Sequence, residues 1–332
     1  MPPLFDVQDL QVYYHTPRGP VKAVDGVSFT LAAGERYGLI GESGSGKTTI
    51  ALSILRLIKP PGRIEGGRIL LDGTDVLALS EEQMRQTRLA EIALITQGAM
   101  NSLNPVIRIQ EQIADGLRNH GVHLSRQALD DHVTDLLGRV GLRPEVAGMY
   151  PHQLSGGMKQ RVCIAIAISL RPKLIIADEP TSALDVVVQR QVMQTLRKVQ
   201  ENLDASVILI GHDMGLMAQF ADRVGVMYAG RLVEEGTVHD LFARPQHPYS
   251  QLLMASLPTL EEKGAFHTAT GVPPSLLDLP TGCVFHPRCP YKMDRCIVEE
   301  PRLQMAWTGH RAACHLLDNG QLLQQREEEM MS

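Results

Sequence analysis

The chain has 332 residues, of which 44% are hydrophobic and 21% charged, and its formal net charge is −5 at pH 7. This length exceeds what one core usually serves, so we expect one large domain and a smaller one. The acidic balance argues against a nucleic-acid binder that depends on a general basic field. Because no stretch approaches the roughly 18 apolar residues that span a bilayer, and the N-terminus has no signal-peptide pattern, we expect a cytoplasmic location.

Short apolar runs of strand character alternate with longer helical patterns through the first 240 residues. The predicted strands are "RYGLIG", "KLIIAD" and "SVILIG", and "KTTIALSILRLI" and "VVVQRQVMQTLRKVQ" are predicted helices. Nearly all-apolar strands that alternate with helices indicate an α/β fold with a parallel sheet covered on both faces. Residues from about 100 to 160 show helical periodicity with no good strand, which predicts a helical subdomain inserted into this fold.

The first motif that carries chemistry is "GLIGESGSGKTT", which has the G-x-x-x-x-G-K-[ST] pattern between a predicted strand and a predicted helix. Small residues allow the loop to wrap closely, so that its N–H groups face phosphate oxygens. Lys47 would bridge the β- and γ-phosphates of a nucleotide, and the Thr48 hydroxyl would ligate Mg²⁺. An ordinary glycine-rich turn is the alternative, and the strand–loop–helix context disfavours it. The predicted nucleotide-binding residues here are Gly41, Ser43, Gly44, Ser45, Gly46, Lys47, Thr48 and Thr49.

A second motif, "LIIADEPTSALD", places two acidic residues at the end of a buried strand. Parallel sheets bind ligands at the carboxyl ends of their strands. Asp178 suits the metal, directly or through water, and Glu179 suits a general base that orients water. Adjacent acids at a strand end are often only a solvated edge, but the P-loop upstream favours the functional interpretation.

A third motif, "LSGGMKQR", lies between the other two, and Ser155 is a predicted N-cap of the helix that follows. It would build a second anion-binding helix terminus in the same chain. A helix start that is merely capped is the equal alternative. Up to this point the residues predict a P-loop NTPase and nothing narrower.

The ordered set "GESGSGKT", "LITQ", "LSGGMKQR", "LIIADEP", "SALD" and "LIGHD" resembles the nucleotide-binding subunit of an ATP-binding cassette (ABC) transporter over about residues 4–240. The resemblance implies a RecA-like core with an antiparallel β subdomain and a helical subdomain, together forming a nucleotide-binding domain over residues 1–245. It also implies a head-to-tail pair of such domains, with ATP between the P-loop of one and Ser155, Gly156 and Gly157 of the other.

The resemblance assigns roles to single residues as well. Tyr14 matches the aromatic residue that stacks on adenine, although its neighbour Tyr13 is not excluded. Gln97 would contact Mg²⁺ or the attacking water, His212 would sense the γ-phosphate, and Asp185 would help to join the two subunits. A core tyrosine and a structural histidine are the alternatives for Tyr14 and His212.

Four of the five cysteines lie near the C-terminus with the spacing C-x5-C-x6-C-x17-C; they are Cys283, Cys289, Cys296 and Cys314. A zinc ion and a [4Fe–4S] cluster suit four thiolates about equally on chemical grounds, and unliganded thiols in a small core are the third possibility. His286, His310 and His315 are reserve ligands that we expect at the surface. Cys163, among apolar neighbours, is a predicted core thiol.

From "RPQHPYSQLL" to the cysteines, the chain is similar to the C-terminal extension of dipeptide and oligopeptide importer ATPases, which nickel and some oligosaccharide importers share. The resemblance favours [4Fe–4S] over zinc, a Cys-rich C-terminal domain over residues 246–320, and a flexible tail over residues 321–332. It implies an ATP-hydrolysing importer subunit on the cytoplasmic face of the membrane. Its partners would be a second cassette, identical or different, two permease subunits contacted near residues 98–106, and an extracytoplasmic solute-binding protein.

Two other functions are weighed against this one: a soluble cassette ATPase of DNA repair or translation, and a redox-sensing regulatory module. The first usually carries a long coiled-coil insert or two tandem cassettes, and neither pattern occurs in the sequence. The transported solute and the identity of the second cassette are left open by the sequence.

Overall fold

The computed structural model describes residues 2–98, 102–255 and 271–318. Its strands are β1 (Phe5–Thr16), β2 (Gly19–Leu31), β3 (Arg36–Ile40), β4 (Gly62–Leu71), β5 (Thr74–Asp75), β6 (Ile92–Ile95), β7 (Leu174–Asp178), β8 (Ser206–Gly211), β9 (Arg223–Tyr228), β10 (Arg231–Thr237), β11 (Gln304–Trp307) and β12 (His310–Ala312). Its α-helices are α1 (Lys47–Ile54), α2 (Glu81–Thr87), α3 (Ile109–Asn119), α4 (Arg126–Arg139), α5 (Gly156–Ala167), α6 (Val186–Leu203), α7 (Met214–Phe220), α8 (Val238–Ala243), α9 (Pro248–Ala255) and α10 (Asp294–Val298). Within these ranges no helix is both long and apolar enough to cross a membrane.

A small antiparallel sheet has the strand order β2-β1-β4-β5. Phe5, Val7, Leu10 and Val12 of β1 are fully buried. The alternation of buried and partly exposed residues along β1 is typical of a sheet with one face on a core. This sheet matches the expected antiparallel β subdomain.

The main sheet has the order β11-β12-β10-β9-β3-β8-β7-β6, and β3 is parallel to both β8 and β9. β7 is parallel to β6 and β8, so the three strands predicted from apolar runs are confirmed as neighbouring parallel strands. Every residue of β7 is buried, as expected for a strand covered on both faces. The carboxyl ends of β3, β7 and β8 therefore meet at one edge of the sheet.

The predicted helical subdomain is built from α3, α4 and α5, with two short 3₁₀ turns at Pro144–Gly148 and Pro151–Gln153. Ile109, Ile113 and Leu117 are buried on one face of α3 at helical spacing. Ser125 caps α4 by accepting a hydrogen bond from the Ala128 N–H at 3.3 Å. This cap fixes the residue at which the connecting loop ends and α4 begins.

The C-terminal region, predicted as a domain over residues 246–320, shares a sheet and an apolar core with the cassette in the part that the structure describes, residues 246–255 and 271–318. β12 pairs with β10 and so extends the main sheet of the cassette. Tyr249, Cys283, Phe285 and Cys296 belong to the same apolar core as the helical subdomain. The physical reason is size, because so short a loop-rich segment cannot bury enough apolar surface by itself. The predicted flexible tail, 321–332, lies outside the described residues.

A buried carboxylate joins this region to the cassette. Glu234, on β10, is fully buried and accepts hydrogen bonds from the N–H groups of Gln246 at 2.6 Å and His247 at 2.8 Å. Its Oε1 also lies 2.6 Å from Nε2 of His310 on β12. A buried carboxylate is stable only when such partners replace water. Glu234 therefore fixes the chain on both sides of the segment that leads to the cysteines.

The expected surface position of His310 and His315 is wrong. His310 is fully buried against Glu234, and its ring lies 4.3 Å from the Trp307 ring, centroid to centroid. His315 is also buried, with Nε2 2.9 Å from the carbonyl oxygen of Glu299. Each ring is buried because a polar partner compensates for the lost water, and these partners are remote in sequence. His286 is half-buried, with Nδ1 2.9 Å from the Cys283 carbonyl oxygen.

His247 supplies a pH-dependent element at the same junction. Its side chain is buried, and Nδ1 accepts a hydrogen bond from the Tyr249 N–H at 3.1 Å, which requires an unprotonated nitrogen. Burial lowers the pKa of His247 to about 4, although the charge of Glu234 opposes this shift. The folded protein therefore holds a neutral imidazole where the unfolded chain would bind a proton near pH 6.5.

We expect the free energy of unfolding to fall by about 2 kcal/mol between pH 7 and pH 5 through His247 alone. Below its ordinary pKa the unfolded chain takes up a proton that the folded chain refuses, so acid favours unfolding. Urea unfolding of the wild type and of His247→Asn at both pH values measures this, because Asn keeps an acceptor for the Tyr249 N–H and does not titrate. An equal loss of stability in the two proteins would contradict the assignment.

Candidate nucleotide-binding site

The P-loop connects β3 to α1 and is held against two other strands. Gly41 has φ +148°, and a Cβ there would lie 2.1 Å from the Met227 carbonyl oxygen. Gly46, the N-cap of α1, has φ +103°, and a Cβ there would lie 2.2 Å from the Ala23 carbonyl oxygen. Both positions require glycine for its backbone conformation and for the close approach. The loop is thus shaped by its contacts with β9 and β2.

Lys47 lies inside this loop with only 6% of its surface exposed. Its Nζ donates to the carbonyl oxygens of Gly41 at 2.8 Å and Glu42 at 2.9 Å, and to Ser45 Oγ at 3.2 Å. Burial lowers the pKa of Lys47, and the charges of Glu179, Asp178 and Glu42 oppose that shift. Ser43, Gly44 and Thr48 are exposed, and Thr49 is half-buried. The ammonium group therefore lies behind a loop whose outer face is open to a phosphate chain.

Asp178 ends β7 and is 4% exposed. Burial raises the pKa of Asp178, and a hydrogen bond with the Thr48 side chain lowers it in part. Its Oδ1 is buried and has no hydrogen-bond partner among the described residues. An orphaned carboxylate oxygen beside a hydroxyl group is the kind of oxygen ligand set that Mg²⁺ prefers. The residues present therefore fit a Mg²⁺ ion, with Asp178 and Thr48 as its ligands.

The three predicted catalytic residues come together at the same edge. Glu179 Oε2 accepts a hydrogen bond from Gln97 Nε2 at 2.8 Å, and its Oε1 lies 3.3 Å from His212 Nδ1. The Glu179 N–H donates to the Ile210 carbonyl oxygen of β8 at 2.9 Å, which ties β7 to the strand before His212. Glu179 also has φ +45°, a strained conformation for a residue with a side chain. Such strain is found where the surroundings impose a particular side-chain direction.

The third motif and Asp185 cap two neighbouring helices. Ser155 Oγ accepts a hydrogen bond from the Met158 N–H at 3.3 Å and begins α5, and Asp185 Oδ1 accepts from the Val188 N–H at 3.0 Å and begins α6. A Cβ on Gly157 would lie 2.4 Å from Val188 Cγ1, so glycine lets the two helix starts pack together. Ser155 and Asp185 are exposed and Gly156 is half-buried, which leaves both caps accessible.

The two adjacent tyrosines differ in their surroundings. Tyr13 donates from Oη to Asp25 Oδ1 at 2.6 Å, and the Lys22 ammonium lies 5.4 Å from its ring centroid. Burial and this hydrogen bond raise the pKa of Tyr13. The half-buried Tyr14 lies on β1 beside Gly62 of β4, where a Cβ would come within 2.7 Å of the Tyr14 ring. Only Tyr13 is therefore held through its hydroxyl by Asp25.

No disulfide joins any of the five cysteines, all of which lie in the described residues, and Cys163 is buried as predicted. Burial raises the pKa of Cys163 and Cys289 to about 11 and that of Cys314 to about 12. Cys283, Cys289 and Cys296 also raise the pKa of Cys314, so the four C-terminal thiols are close enough to interact electrostatically. In residues 2–98, 102–255 and 271–318, however, no three Cys, His, Asp or Glu side chains are arranged to hold a metal ion. The predicted metal role of these cysteines is not supported by the geometry.

The sequence reasoning missed three residues that contact one another at the P-loop. Arg288, from the cysteine-rich segment, forms an ion pair with Glu42, and the Glu42 N–H donates to the Tyr249 hydroxyl at 2.9 Å. The partners are 246 and 207 positions apart, so no local spacing connects them. The position of Glu42 inside the P-loop motif was the one available signal.

Two family models match the chain, one over the cassette motifs and one over the segment that leads to the cysteines. Residues 24–182 match the ABC transporter family model, and residues 233–296 match the model for the oligopeptide/dipeptide transporter C-terminal region. The chain is 45% identical to the dipeptide transport ATP-binding protein DppD of Haemophilus influenzae, over 94% of this chain and 95% of that protein. It is 44% identical to the oligopeptide transport ATP-binding protein OppD of Salmonella typhimurium, over 94% and 93%.

Solved structures give the same result for the fold. The ATP-binding cassette MJ0796, in a dimeric post-hydrolysis state with ADP and Pi, aligns with a TM-score of 0.63 and 26% identity over 70% of this chain and 98% of that one. The cassette cbiO1 of Clostridium perfringens aligns with a TM-score of 0.63 and 27% identity over 74% and 92%.

Proposed function

The chain belongs to the ATP-binding subunits of the dipeptide and oligopeptide ABC transporters, and from this premise we propose that it hydrolyses ATP to drive peptide import. The observation that carries the proposal is the convergence of Gln97 and His212 on Glu179, beside the buried Lys47 and Asp178. Five groups from four separate segments meet at one sheet edge. They supply a phosphate-binding cation, a metal ligand and a candidate base, which are the groups that phosphoryl transfer to water needs.

In the proposed reaction, the P-loop N–H groups and Lys47 hold the β- and γ-phosphates. Thr48 and Asp178 would hold Mg²⁺, which would neutralise charge on these phosphates. Glu179 accepts a proton from the water that attacks the γ-phosphorus in line, and Gln97 orients this water. The bond from the γ-phosphorus to the bridging oxygen breaks, so that ADP leaves and phosphate is formed. His212, across the Glu179 carboxylate from Gln97, contacts the γ-phosphate.

The adenine is proposed to stack on Tyr14. Since the Tyr13 hydroxyl is held by Asp25, which Arg231 also contacts at 3.0 Å, Tyr13 has a structural role in the sheet. Tyr14 points to the other side of β1, because side chains alternate along a strand. These surroundings support Tyr14 rather than Tyr13 as the residue that stacks on adenine.

The surface around Asp185 supports a head-to-tail pair of cassettes. Val186 and Val187 are 79% and 68% exposed directly after the Asp185 cap, which is costly for apolar side chains unless a partner covers them. The exposed cap at Ser155 begins the helix packed on the same α6. We propose that Ser155, Gly156 and Gly157 of one cassette close over the ATP held by the P-loop of the other.

We propose that the cassette pair binds two permease subunits in the membrane through the segment after Gln97. Val106, in this segment, is 78% exposed, whereas neighbouring Leu103 is buried and anchors it. The cassette would then lie peripherally on the cytoplasmic face, and the importer would receive its peptide from an extracytoplasmic binding protein. Because Gln97 contacts Glu179, a movement of Gln97 itself would reach the candidate base directly.

For the C-terminal thiols we propose a [4Fe–4S] cluster, with zinc as the alternative. The proposal rests on four cysteines close together in the sequence and on their mutual influence on the pKa of Cys314. It does not rest on a ligand arrangement, because the described side chains form no group of three that could hold a metal ion. The burial of Cys283, Cys296 and Cys314 would limit the access of water to such a cluster.

Glu179→Gln should reduce ATP turnover by at least a hundredfold while ATP binding is kept, because the amide cannot accept the proton. The variant should accumulate as an ATP-bound dimer on size-exclusion chromatography. Glu201→Gln, which alters an exposed carboxylate on α6 paired with Arg197, is the control and should behave as the wild type. Wild-type turnover in Glu179→Gln would refute the base assignment.

Val106→Asp should reduce recovery of the permease subunits at least tenfold when the complex is purified from membranes, because a charge would be buried at the contact. Val298→Asp is the matched control, since Val298 is also 78% exposed but lies beside the cysteines.

The intact complex in vesicles should hydrolyse ATP faster with a peptide-loaded binding protein. Stimulation by nickel or an oligosaccharide instead would show that the solute class is wrong.

Anaerobically purified protein should contain about four iron atoms and four acid-labile sulfides per chain. Cys289→Ser should lose this iron, and Cys163→Ser, which changes a core thiol, should keep it. One zinc ion per chain would favour the alternative cofactor. Absence of both metals would mean that the thiols only pack in the core.

A further inference from the structure

The cysteine-rich segment reaches into the P-loop through one side chain. Arg288 lies in the turn His286–Arg288, and its guanidinium donates to both carboxylate oxygens of Glu42, at 2.9 and 3.0 Å. The Arg288 side chain is 6% exposed and the Glu42 side chain 28%, so the guanidinium is shielded from water while the carboxylate is partly accessible. A bidentate pair of this kind fixes both distance and orientation.

Glu42 is held at its backbone as well as at its carboxylate. Its N–H donates to the Tyr249 hydroxyl at 2.9 Å, and its carbonyl oxygen accepts from Lys47 Nζ at 2.9 Å. The residue that enters the phosphate-binding turn therefore has its N–H, its carbonyl and its carboxylate all engaged. Two of these three contacts come from residues beyond position 245, outside the cassette motifs.

An apolar platform keeps these contacts in place. Tyr228, Tyr249 and Phe285 form a ring cluster with centroids 4.6 to 5.5 Å apart, and the Arg288 guanidinium lies 5.8 Å from the Tyr228 centroid. All three rings are buried. Because closely packed aromatic rings move little, Arg288 is presented to Glu42 from a rigid support.

A second, irregular segment of the same region flanks the loop. The Leu276 carbonyl oxygen accepts the Lys22 N–H at 3.2 Å, and Lys22 precedes Ala23, whose carbonyl faces Gly46. Pro273 and Pro274 line a cavity together with residues 42–45 of the P-loop. The C-terminal region thus contacts the P-loop from two directions.

We propose that Arg288 is a positioning residue of the ATP site, which holds the P-loop in its phosphate-binding shape and neutralises Glu42. The Glu42 carboxylate lies in the loop that must receive three phosphates, and an unpaired charge there would repel the nucleotide. Arg288 cancels that charge and holds both carboxylate oxygens in fixed positions. This inference rests on the proposed function, because it assigns a role in binding ATP.

Arg288→Gln should raise the KM for MgATP about tenfold and leave kcat within about twofold, because the reacting groups stay in place. Arg288→Lys, which keeps the charge but loses the two-pronged geometry, should raise KM about threefold. Arg295→Gln, which breaks an exposed bidentate pair with Glu299 in the same region, is the matched control and should leave KM unchanged.

The charge argument predicts a rescue. Glu42→Gln removes the repelling charge, so Arg288→Gln combined with Glu42→Gln should bind ATP more tightly than Arg288→Gln alone. Hydrogen exchange of residues 42–46 without nucleotide should be faster in Arg288→Gln than in wild type, and unchanged in Arg295→Gln. A purely structural role for Arg288 predicts no rescue and a general rise in exchange.

A KM for ATP within twofold of wild type in Arg288→Gln, or a double variant no better than Arg288→Gln, would overturn the inference. If Arg288→Gln does not fold, Arg288→Lys decides by the same criterion, since it keeps the methylene stem and charge. Failure of the wild type itself to bind or hydrolyse ATP would refute the proposed function instead, so the two failures are distinguishable.

Discussion

The parallel register of β3, β8 and β7 is the constraint on which the site depends. Ile40 pairs with Gly211, and Asp178 pairs with Ile210, so the three strands end at the same level. The P-loop, the two acidic residues and His212 then follow from neighbouring strand ends. A slip of one residue would turn Asp178 to the other face of the sheet. The apolar side chains that cover both faces prevent this slip, so the core of the protein also sets the geometry of its chemistry.

On β10 and β12, buried polar groups hold the neighbouring strands in place. Glu235, buried beside Glu234, accepts hydrogen bonds from Tyr37 at 3.0 Å and Arg223 at 2.7 Å, and pairs with Arg311. Arg311 belongs to β12, so this network and the Glu234–His310 pair attach the last strands to the cassette. A carboxylate with so many donors is costly to expose or to strip of partners. The C-terminal region is consequently part of the same folded unit, and its contacts extend to the ATP site.

Local patterns predicted the cassette well because its elements are locally encoded. The apolar runs before Lys47 and Asp178, the cap at Ser155 and the helical periodicity after Ile109 each depend on neighbours in sequence, and all reappear in the structure. The errors fall where partners are remote. From the sequence, His310 was predicted to lie at the surface. In the structure it lies against the carboxylate of Glu234, 76 positions away. In the same way, no local pattern reveals that Cys283, Phe285 and Cys296 share an apolar core with the helical subdomain.

The sequence by itself determined the order of strands and helices, the phosphate-binding loop, the acidic strand end and the capped helix starts, because glycine conformations, capping side chains and apolar spacing act over a few residues. The tertiary structure alone decided which side chains meet. Gln97 and His212 reach Glu179 across 82 and 33 positions, and Arg288 reaches Glu42 across 246. Such contacts form only when the whole sheet and the helices that cover it are assembled, which is a cooperative process. They therefore cannot be predicted from the spacing of residues along the chain.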